Sequence, residues 1–249
     1  MSADESYGGG AIDQSVVGEY EDRYVAFLDL LGFTALVEAA EREPNERARL
    51  RESLRLMRDT LGEHPGLGLR HTYFSDCIVI SARRIPEGLW EVFHSIEVLT
   101  FNLLSCDVLV RGGVAAGAAH HTKDFVYGTA VVRAHSLESN SAIHPLTLLA
   151  PEVLADAKSN GPNFLRWLAR DSAERYFVHY LLRFAEYRRE SALPGTIMLD
   201  DAAEMVMHNI AQRLHTDGGS VLCKARWLQS YWNRAVGSQG VFRAIEGGE

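Results

Sequence analysis

An aspartate stands at the end of a short apolar run near the start of the chain. Residues 24–28 are apolar throughout, as in a buried strand, and Asp29 follows directly, with Gly32 placed for a turn. A carboxylate in that position must be hydrated, paired or metal-bound, because a bare buried charge costs on the order of several kcal/mol. A helix expected from Phe33 would begin beside it with unpaired backbone amides, which suit phosphate oxygens. Asp29 is therefore either a site residue or a simple helix cap.

A second aspartate, Asp76, lies at the tip of the hairpin predicted next along the chain. Its strands are expected at about 68–73 and 77–80. Aspartate is common in turns for local reasons. In a ferredoxin-like sheet, however, the first strand and this hairpin are neighbours, so Asp29 and Asp76 can meet. Two carboxylates form an oxygen-ligand site for Mg²⁺ or Mn²⁺, and with a phosphate-binding helix end they favour two-metal phosphoryl transfer.

The order of predicted elements indicates an α+β fold. Strand, helix, strand, strand, helix, strand is the βαββαβ pattern of a ferredoxin-like sheet, and a further helix and strand follow. We expect a catalytic core at 21–150 and a mainly helical extension at 151–249, packed on the core or on a dimer partner. Residues 1–20, rich in glycine and polar residues, are expected to form a disordered tail. In the extension, helical spacing is found at 151–158, 163–170, 201–215 and 222–235, and a strand is predicted at 176–182.

Composition excludes several classes of protein. The 249 residues are 47% hydrophobic and 23% charged, with a formal net charge of −8, which argues against binding a nucleic acid polymer. Three scattered cysteines, Cys77, Cys106 and Cys223, favour a reducing compartment and no disulfide framework. No apolar run reaches the roughly 18 residues that span a bilayer, and the N-terminal residues lack the order of a signal peptide. We therefore expect a cytoplasmic protein with no membrane partner.

Several motifs, in order, resemble those of the class III nucleotide cyclases. FLDLLGFT at 27–34 is similar to their first metal motif, and YFSDC at 73–77 to their second metal-bearing hairpin. RGGVAAG at 111–117, followed by YGTAVVRAHSLES at 127–139, resembles the strand and helix that complete the catalytic half. The amino-acid sequence of these motifs, together with KARWLQSYWN towards the C-terminal end, most resembles that of the pyrimidine cyclases of bacterial anti-phage signalling systems. The resemblance is good over about residues 23–150 and weak beyond.

The resemblance implies a cyclase core that converts UTP to 3′,5′-cyclic UMP and pyrophosphate, with CTP as the alternative substrate. Asp29 and Asp76 would be catalytic and hold two Mn²⁺ or Mg²⁺ ions per site, with the Leu30 carbonyl as a further ligand. Family members work as homodimers whose subunits complete each other's sites. The product would be a second messenger in anti-phage defence, read by a separate effector protein. Three residues would present backbone amides to the β- and γ-phosphates: Gly32, Phe33 and Thr34.

Departures from the family pattern bear on the base. Adenylyl cyclases of this class have a base-reading lysine where this chain has Thr72, and a base-reading aspartate where it has Phe125. The usual pairing with adenine is therefore lost, which supports a different base. Thr72 is retained as a substrate-binding candidate at this position. Tyr73 is a second candidate, either stacking on or hydrogen-bonding the base, or packing in the core.

The transition-state groups also differ. The usual asparagine and arginine of the late helix align with Val132 and Ser136, and we predict that Arg133 supplies the catalytic charge instead; the alternative is a surface arginine. Arg111, before two glycines, is predicted to bind substrate or to form a structural ion pair. The rival interpretations are a non-catalytic nucleotide-binding module, a palm-type polymerase or dinucleotide cyclase, and a purely structural interaction domain.

Overall fold

The computed structural model describes residues 19–186, 197–215, 219–237 and 242–246. Most of the tail predicted at 1–20 lies outside the described residues. Among the helices that are described, none has the length and apolar character needed to cross a bilayer.

The strands of the described residues form one sheet. Its strands are β1 (Glu21–Leu31), β2 (Arg70–Phe74), β3 (Cys77–Arg83), β4 (Leu109–His121), β5 (Val126–Tyr127), β6 (Thr147–Leu149), β7 (Leu168–Arg170) and β8 (Tyr176–Val178). The helices are α1 (Phe33–Arg42), α2 (Pro44–Thr60), α3 (Pro86–Ser105), α4 (Thr129–Ser141), α5 (Pro151–Ser159), α6 (Pro162–Leu165), α7 (Leu182–Glu186), α8 (Ile197–Leu214) and α9 (Gly219–Ala235). A short 3₁₀ turn covers Pro65–Leu67.

The strand order confirms the predicted fold class. The sheet runs β2-β3-β1-β4-β6-β8-β7, and β5 pairs with β4 outside this path. Its first four strands are antiparallel neighbours. With α1 and α2 before β2 and α3 before β4, they form the βαββαβ unit of a ferredoxin-like fold. The chain then passes through α4 to β6, which lies parallel to β4.

The chain beyond residue 150 is mainly helical, as predicted, but two of its segments differ from the expected elements. The helix expected at 163–170 is wrong, because α6 ends at Leu165 and residues 168–170 pair with β8 as a strand. Cross-strand hydrogen bonding there overrides the helical spacing. The strand expected at 176–182 is also shorter, since it ends at Val178. Because β7 and β8 extend the same sheet, the boundary proposed at residue 150 stays a prediction.

Helices cover both faces of the ferredoxin-like unit. On one face, α3 packs against the apolar side chains of β1 and β3, and α2 packs against α3; Leu28 and Ile78 are fully buried on this face. On the other face, α4 lies across β1 and β4. A second apolar cluster joins α8 and α9 to the β6–β8 end of the sheet. Tyr231 and Trp232 are buried in this cluster.

A buried histidine in the second cluster predicts how stability depends on pH. Burial lowers the pKa of His179 to about 4, and its Nδ1 is hydrogen-bonded to the Tyr231 hydroxyl. The unfolded chain takes up this proton near pH 6.5, so stability is complete above that pH and falls as the pH drops towards 4. We expect a loss of up to about 3 kcal/mol over this range, measured by urea unfolding. His179→Asn should flatten the dependence; an unchanged slope would contradict this assignment.

Candidate functional site

The register of β1 places Asp29 between two neighbouring strands. Asp29 lies opposite Cys77 of β3 on one side and opposite Arg111 of β4 on the other. Directly opposed residues of antiparallel strands point to the same face. The face is the one that α4 covers, and the Asp29 side chain retains 16% of its exposure. The apolar run of β1 therefore ends with a carboxylate that is partly open to solvent.

The hairpin tip brings Asp76 to the same place. Ser75 adopts a left-handed conformation (φ 54°) in the β2–β3 turn. The Leu30 amide donates a 3.0 Å hydrogen bond to the Asp76 carbonyl, which ties the tip to the end of β1. Potential ligand atoms of Asp29, Asp76 and Cys77 lie within 4.8 Å of one another. The two carboxylates that the sequence predicted to meet are thus neighbours, while their metal-binding role stays a prediction.

The donor set of this cluster fits a hard divalent cation. Burial raises the pKa of Cys77 to about 12, and the nearby Asp76 and Asp29 act in the same direction. The thiol is therefore protonated and a poor metal ligand, whereas two carboxylates are the oxygen ligands that Mg²⁺ and Mn²⁺ prefer. Asp29 and Asp76 would hold the ion. The Leu30 carbonyl as a further ligand stays a prediction.

Arg111 lies between two carboxylates. Its Nε donates a 2.9 Å hydrogen bond to Asp29 Oδ2 and lies 2.7 Å from Glu138 Oε1. Glu138 Oε1 nevertheless accepts no hydrogen bond from the described residues, because the single N–H of Nε is directed at Asp29. Burial raises the pKa of Glu138, and Asp29 and Asp76 add to that effect while Arg111 opposes it. With Asp76 beside Asp29, the cluster has three carboxyl groups and one guanidinium, and a bound cation would offset negative charge there.

Sequence reasoning left Glu138 without a role, although its spacing carried a signal. Ala130, Ala134 and Glu138 lie four residues apart and are all buried, so a glutamate continues the face of α4 that packs on the sheet. The close approach of α4 requires Gly113 in β4. A Cβ there would lie 2.4 Å from the Ala134 carbonyl oxygen and 2.5 Å from the Leu137 Cβ. The glycine thus allows Glu138 to reach Arg111.

The start of α1 has the features of an anion-binding helix end. Gly32 precedes the helix in a left-handed conformation (φ 78°), which glycine adopts without strain. No side chain caps this helix and no acidic residue lies in its first turn. The Gly32 carbonyl accepts from the Leu36 amide, so the amides before it have no partner within the helix. The binding of phosphates by the backbone amides of Gly32, Phe33 and Thr34 stays a prediction.

Thr72 and Tyr73 lie on opposite faces of β2. Thr72 Oγ1 is 2.9 Å from His121 Nε2, on the face that carries Asp29. The Tyr73 hydroxyl donates a 2.7 Å hydrogen bond to the Met57 carbonyl of α2, on the other face. In this conformation Tyr73 packs against the helix layer and does not face the carboxylates. We therefore leave it out of the proposed site.

Arg133 does not meet the carboxylates in the single chain. Its Nη2 donates to the Ala116 carbonyl at 2.6 Å and forms an ion pair with Glu152. The side chain is half exposed. Val132 and Phe125 are also exposed, at 67% and 65%. These side chains lie on the surface of the chain, where a second subunit could contact them.

Comparison with known proteins gives distant similarities of fold. No protein-family model matches the chain, and no curated protein matches it. Similar solved structures include the dimeric guanylyl cyclase domain of the RhoGC fusion protein from the aquatic fungus Blastocladiella emersonii (14% identity, 64% of this chain and 94% of that one, TM-score 0.46). Others are the catalytic core of a rhodopsin-guanylyl cyclase with converted specificity, in complex with ATPαS (14%, 65% and 97%, 0.46), and the guanylyl cyclase Cya2 (14%, 65% and 91%, 0.41).

Fold and site together define a class of protein. It is an α+β protein with a ferredoxin-like sheet, and the sheet edge carries two converging carboxylates beside an uncapped helix N-terminus. Carboxylate oxygens suit hard cations, and the backbone amides of a helix N-terminus suit anions.

Proposed function

We propose that the protein is a nucleotide cyclase that converts UTP to 3′,5′-cyclic UMP and pyrophosphate. The observation that carries the proposal is the convergence of Asp29 and Asp76 beside the start of α1. The order of the motifs at 27–34, 73–77 and 127–139, which resemble those of class III cyclases, supports the same activity.

Asp29 and Asp76 bind the cations in this proposal, and the α1 amides orient the phosphates. Arg111 faces the two carboxylates through Nε, and its terminal nitrogens form no hydrogen bond with Asp29 or Glu138, so they can donate to a phosphate oxygen. Glu138 holds the Arg111 guanidinium when Asp29 turns to the cation. The chain's residues thus position a triphosphate across the edge of the sheet.

The reaction is an in-line displacement. The ribose 3′-oxygen forms a bond to the α-phosphorus, the bond from that phosphorus to the bridging oxygen breaks, and pyrophosphate leaves with the electron pair; the hydroxyl proton passes to water. Divalent ions, when bound, lower the pKa of the 3′-hydroxyl and neutralise charge on the phosphates. No covalent link to the protein is needed, because positioning and charge stabilisation supply the rate.

A direct assay tests this activity. Purified protein is incubated with Mn²⁺ or Mg²⁺ and each of ATP, GTP, CTP and UTP separately, and the products are identified by mass spectrometry. Cyclic UMP as the main product supports the proposal. Cyclic CMP would indicate the alternative cytidylate cyclase, and linear or bridged dinucleotides a palm-type enzyme. A folded protein that binds nucleotide without turnover would be a binding module.

We propose that Arg133 supplies the positive charge that stabilises the transition state, acting from the exposed face of α4 in the site of a second subunit. Arg133→Met is expected to lower kcat by about a hundredfold, as the loss of one charge-stabilising group does. Glu152→Gln is the matched control: it breaks the same exposed ion pair, which contributes little to stability, but leaves the arginine free to act. Equal small losses in both variants would show that Arg133 is structural, and would favour the binding module.

The remaining parts of the proposal concern assembly and biology. We propose a homodimer, in which Arg133 and other exposed groups of one subunit complete the site of the other, and sedimentation of the purified protein tests this state. The cyclic nucleotide would act as a second messenger in anti-phage defence, read by a separate effector. That role has the motif resemblance as its support.

A further inference from the structure

A cavity of about 250 Å³ lies on the face of the sheet opposite to Asp29. It opens between the end of α2, the segment that leads into β2, and α3. The wall on α3 is formed by Glu91, His94, Ser95 and Val98, whose spacing of three and four residues places them on one side of the helix. The carboxylates of the candidate site lie on the other face, under α4. The cavity is therefore separate from that site.

The wall opposite α3 is fixed by backbone hydrogen bonds. Glu63 and His64 lie in this wall, just after α2, and His64 pairs with Leu69 in an isolated bridge. The Leu69 amide donates to the His64 carbonyl at 3.1 Å, and the 3₁₀ turn closes the loop between the two residues. Leu69 also lines the cavity, and β2 begins at the next residue. Backbone contacts therefore hold this wall in place.

The cavity carries unbalanced negative charge. Glu63 and Glu91 line it from opposite walls, and among the described residues neither forms an ion pair. Burial lowers the pKa of His94, the charge of Arg183 lowers it further and Glu91 opposes the change, so this imidazole is neutral at pH 7. Arg183 is itself paired with Glu97, to which its Nε donates at 2.8 Å. A positively charged occupant would balance the two carboxylates.

The end of α2 adds to this negative potential. The helix ends in the cavity wall at Thr60, and no backbone amide caps that end in the part of the chain that the structure describes. Uncapped carbonyl groups at the C-terminus of a helix are hydrogen-bond acceptors, and they form the negative end of the helix dipole. The cavity thus offers acceptors to a cation that carries N–H donors.

Ser95 points independently to a ligand. The residue lines the cavity but is only 8% exposed, and its hydroxyl has no hydrogen-bond partner among the described residues. A serine in a helix can donate to the carbonyl one turn back, as Ser53 of α2 does at 2.9 Å, but Ser95 does not. A buried hydroxyl without a partner is costly. A polar group bound in the cavity would supply the missing hydrogen bond.

The spacing of these groups favours an extended organic cation over a metal ion. A metal needs ligand atoms that converge, and among the described residues the converging set is Asp29, Asp76 and Cys77. The polar groups of the cavity lie apart, on two walls. A chain with an ammonium group at each end can reach separated acceptors, because each ammonium has three N–H donors. Its methylene groups would contact Leu69 and Val98.

We propose that this cavity is a binding site for a linear aliphatic diamine or polyamine. One ammonium group would bind Glu91 and the Ser95 hydroxyl on α3, and a second would bind Glu63 and the carbonyl end of α2. The occupant would tie α3 to the segment that enters β2, and so stabilise the folded chain. The inference goes beyond the proposed cyclase activity, because it uses none of the residues of that site.

Calorimetry with 1,4-diaminobutane and the full chain, without added divalent metal, tests the site. We expect one molecule to bind per chain with a Kd below about 1 mM, as a compact ligand of this size allows. 1,4-Butanediol has the same length without the charges, and should bind at least about tenfold more weakly. At ten times the Kd, the diamine should raise the melting temperature by about 3 °C.

Matched variants locate the bound diamine. Glu91→Gln and Ser95→Ala should weaken binding by about tenfold and about fivefold, because each removes a partner of one ammonium group. Glu87→Gln removes an exposed carboxylate from the same helix outside the cavity, and should leave the affinity unchanged. Asp29→Asn should also leave the affinity unchanged, since the candidate site lies on the other face of the sheet.

The outcomes distinguish this cavity from other places where a diamine can bind. No saturable binding to folded protein, equal binding of 1,4-butanediol, or an unchanged affinity in folded Glu91→Gln or Ser95→Ala would overturn the inference. Equal weakening in Glu87→Gln would show a general attraction to acidic surface, and weakening in Asp29→Asn would move the diamine to the sheet edge; both results reject the cavity. Because no nucleotide is present, failure here leaves the cyclase proposal standing.

Discussion

Replacing Asp29 by asparagine is expected to abolish cyclic nucleotide formation, with a loss of at least about a thousandfold in kcat/KM. The change keeps the shape of the side chain and its acceptor for Arg111 Nε, but removes the charge that would hold a divalent cation. A thousandfold loss corresponds to about 4 kcal/mol, within the range that metal-ion catalysis supplies. Product formation from UTP with Mn²⁺ is the measurement.

Asp76→Asn should give a loss of the same size, because its carboxylate belongs to the same cluster. Asp201→Asn, on the exposed surface of α8, is the matched control and should keep full activity. Manganese binding, followed by electron paramagnetic resonance, should weaken in both site variants and stay unchanged in the control. Full activity of folded Asp29→Asn would rule out the carboxylate site as the catalytic centre.

Gly113→Ala should cause a large loss of stability, because Gly113 lies where α4 packs directly on β4. The new Cβ would lie 2.4 Å from a backbone oxygen of α4 and 2.5 Å from a side-chain carbon, so the helix must move away from the sheet. Overpacking of this kind costs about 3 kcal/mol. The free energy of unfolding in urea measures it.

Gly62→Ala is the control for this change. A Cβ at Gly62 meets nothing within 4 Å, so its effect should stay within about 1 kcal/mol. A shift of α4 would also move Glu138 away from Arg111. We therefore expect the folded Gly113→Ala variant to have lower cyclase activity than the wild type. Equal stability of the two variants would contradict the tight α4–β4 contact.

Local patterns predicted the elements that carry the two aspartates. The apolar run ending at Asp29 became β1, and the hairpin around Asp76 became β2 and β3 with bounds close to those expected. These signals come from neighbouring residues in the chain: apolar side chains, a turn and a glycine that accepts φ 78°. The order of elements then defined the ferredoxin-like unit, because few topologies suit that order.

Local sequence patterns did not predict the contacts between residues that are far apart in the chain. Arg111 and Asp29 are 82 positions apart, and their ion pair follows from the β1–β4 register. Substrate binding by Arg111 stays a proposal. The side of the sheet on which Tyr73 lies depends on a register in which one residue of shift exchanges the two faces. The spacing at 163–170 favoured a helix, but pairing with β8 made a strand.

By itself, the sequence determined which groups this protein can use: a carboxylate after an apolar strand, a second carboxylate in a hairpin turn, and a glycine before a helix. These properties are covalent or local, so they precede folding. Only the tertiary structure decided which groups act together. The close packing of α4 on the sheet set Glu138 against Arg111, and the strand register placed His121 beside Thr72. Hydrogen bonds and ion pairs require atoms within about 3 to 4 Å, and residues far apart in the sequence come that close only when the chain folds.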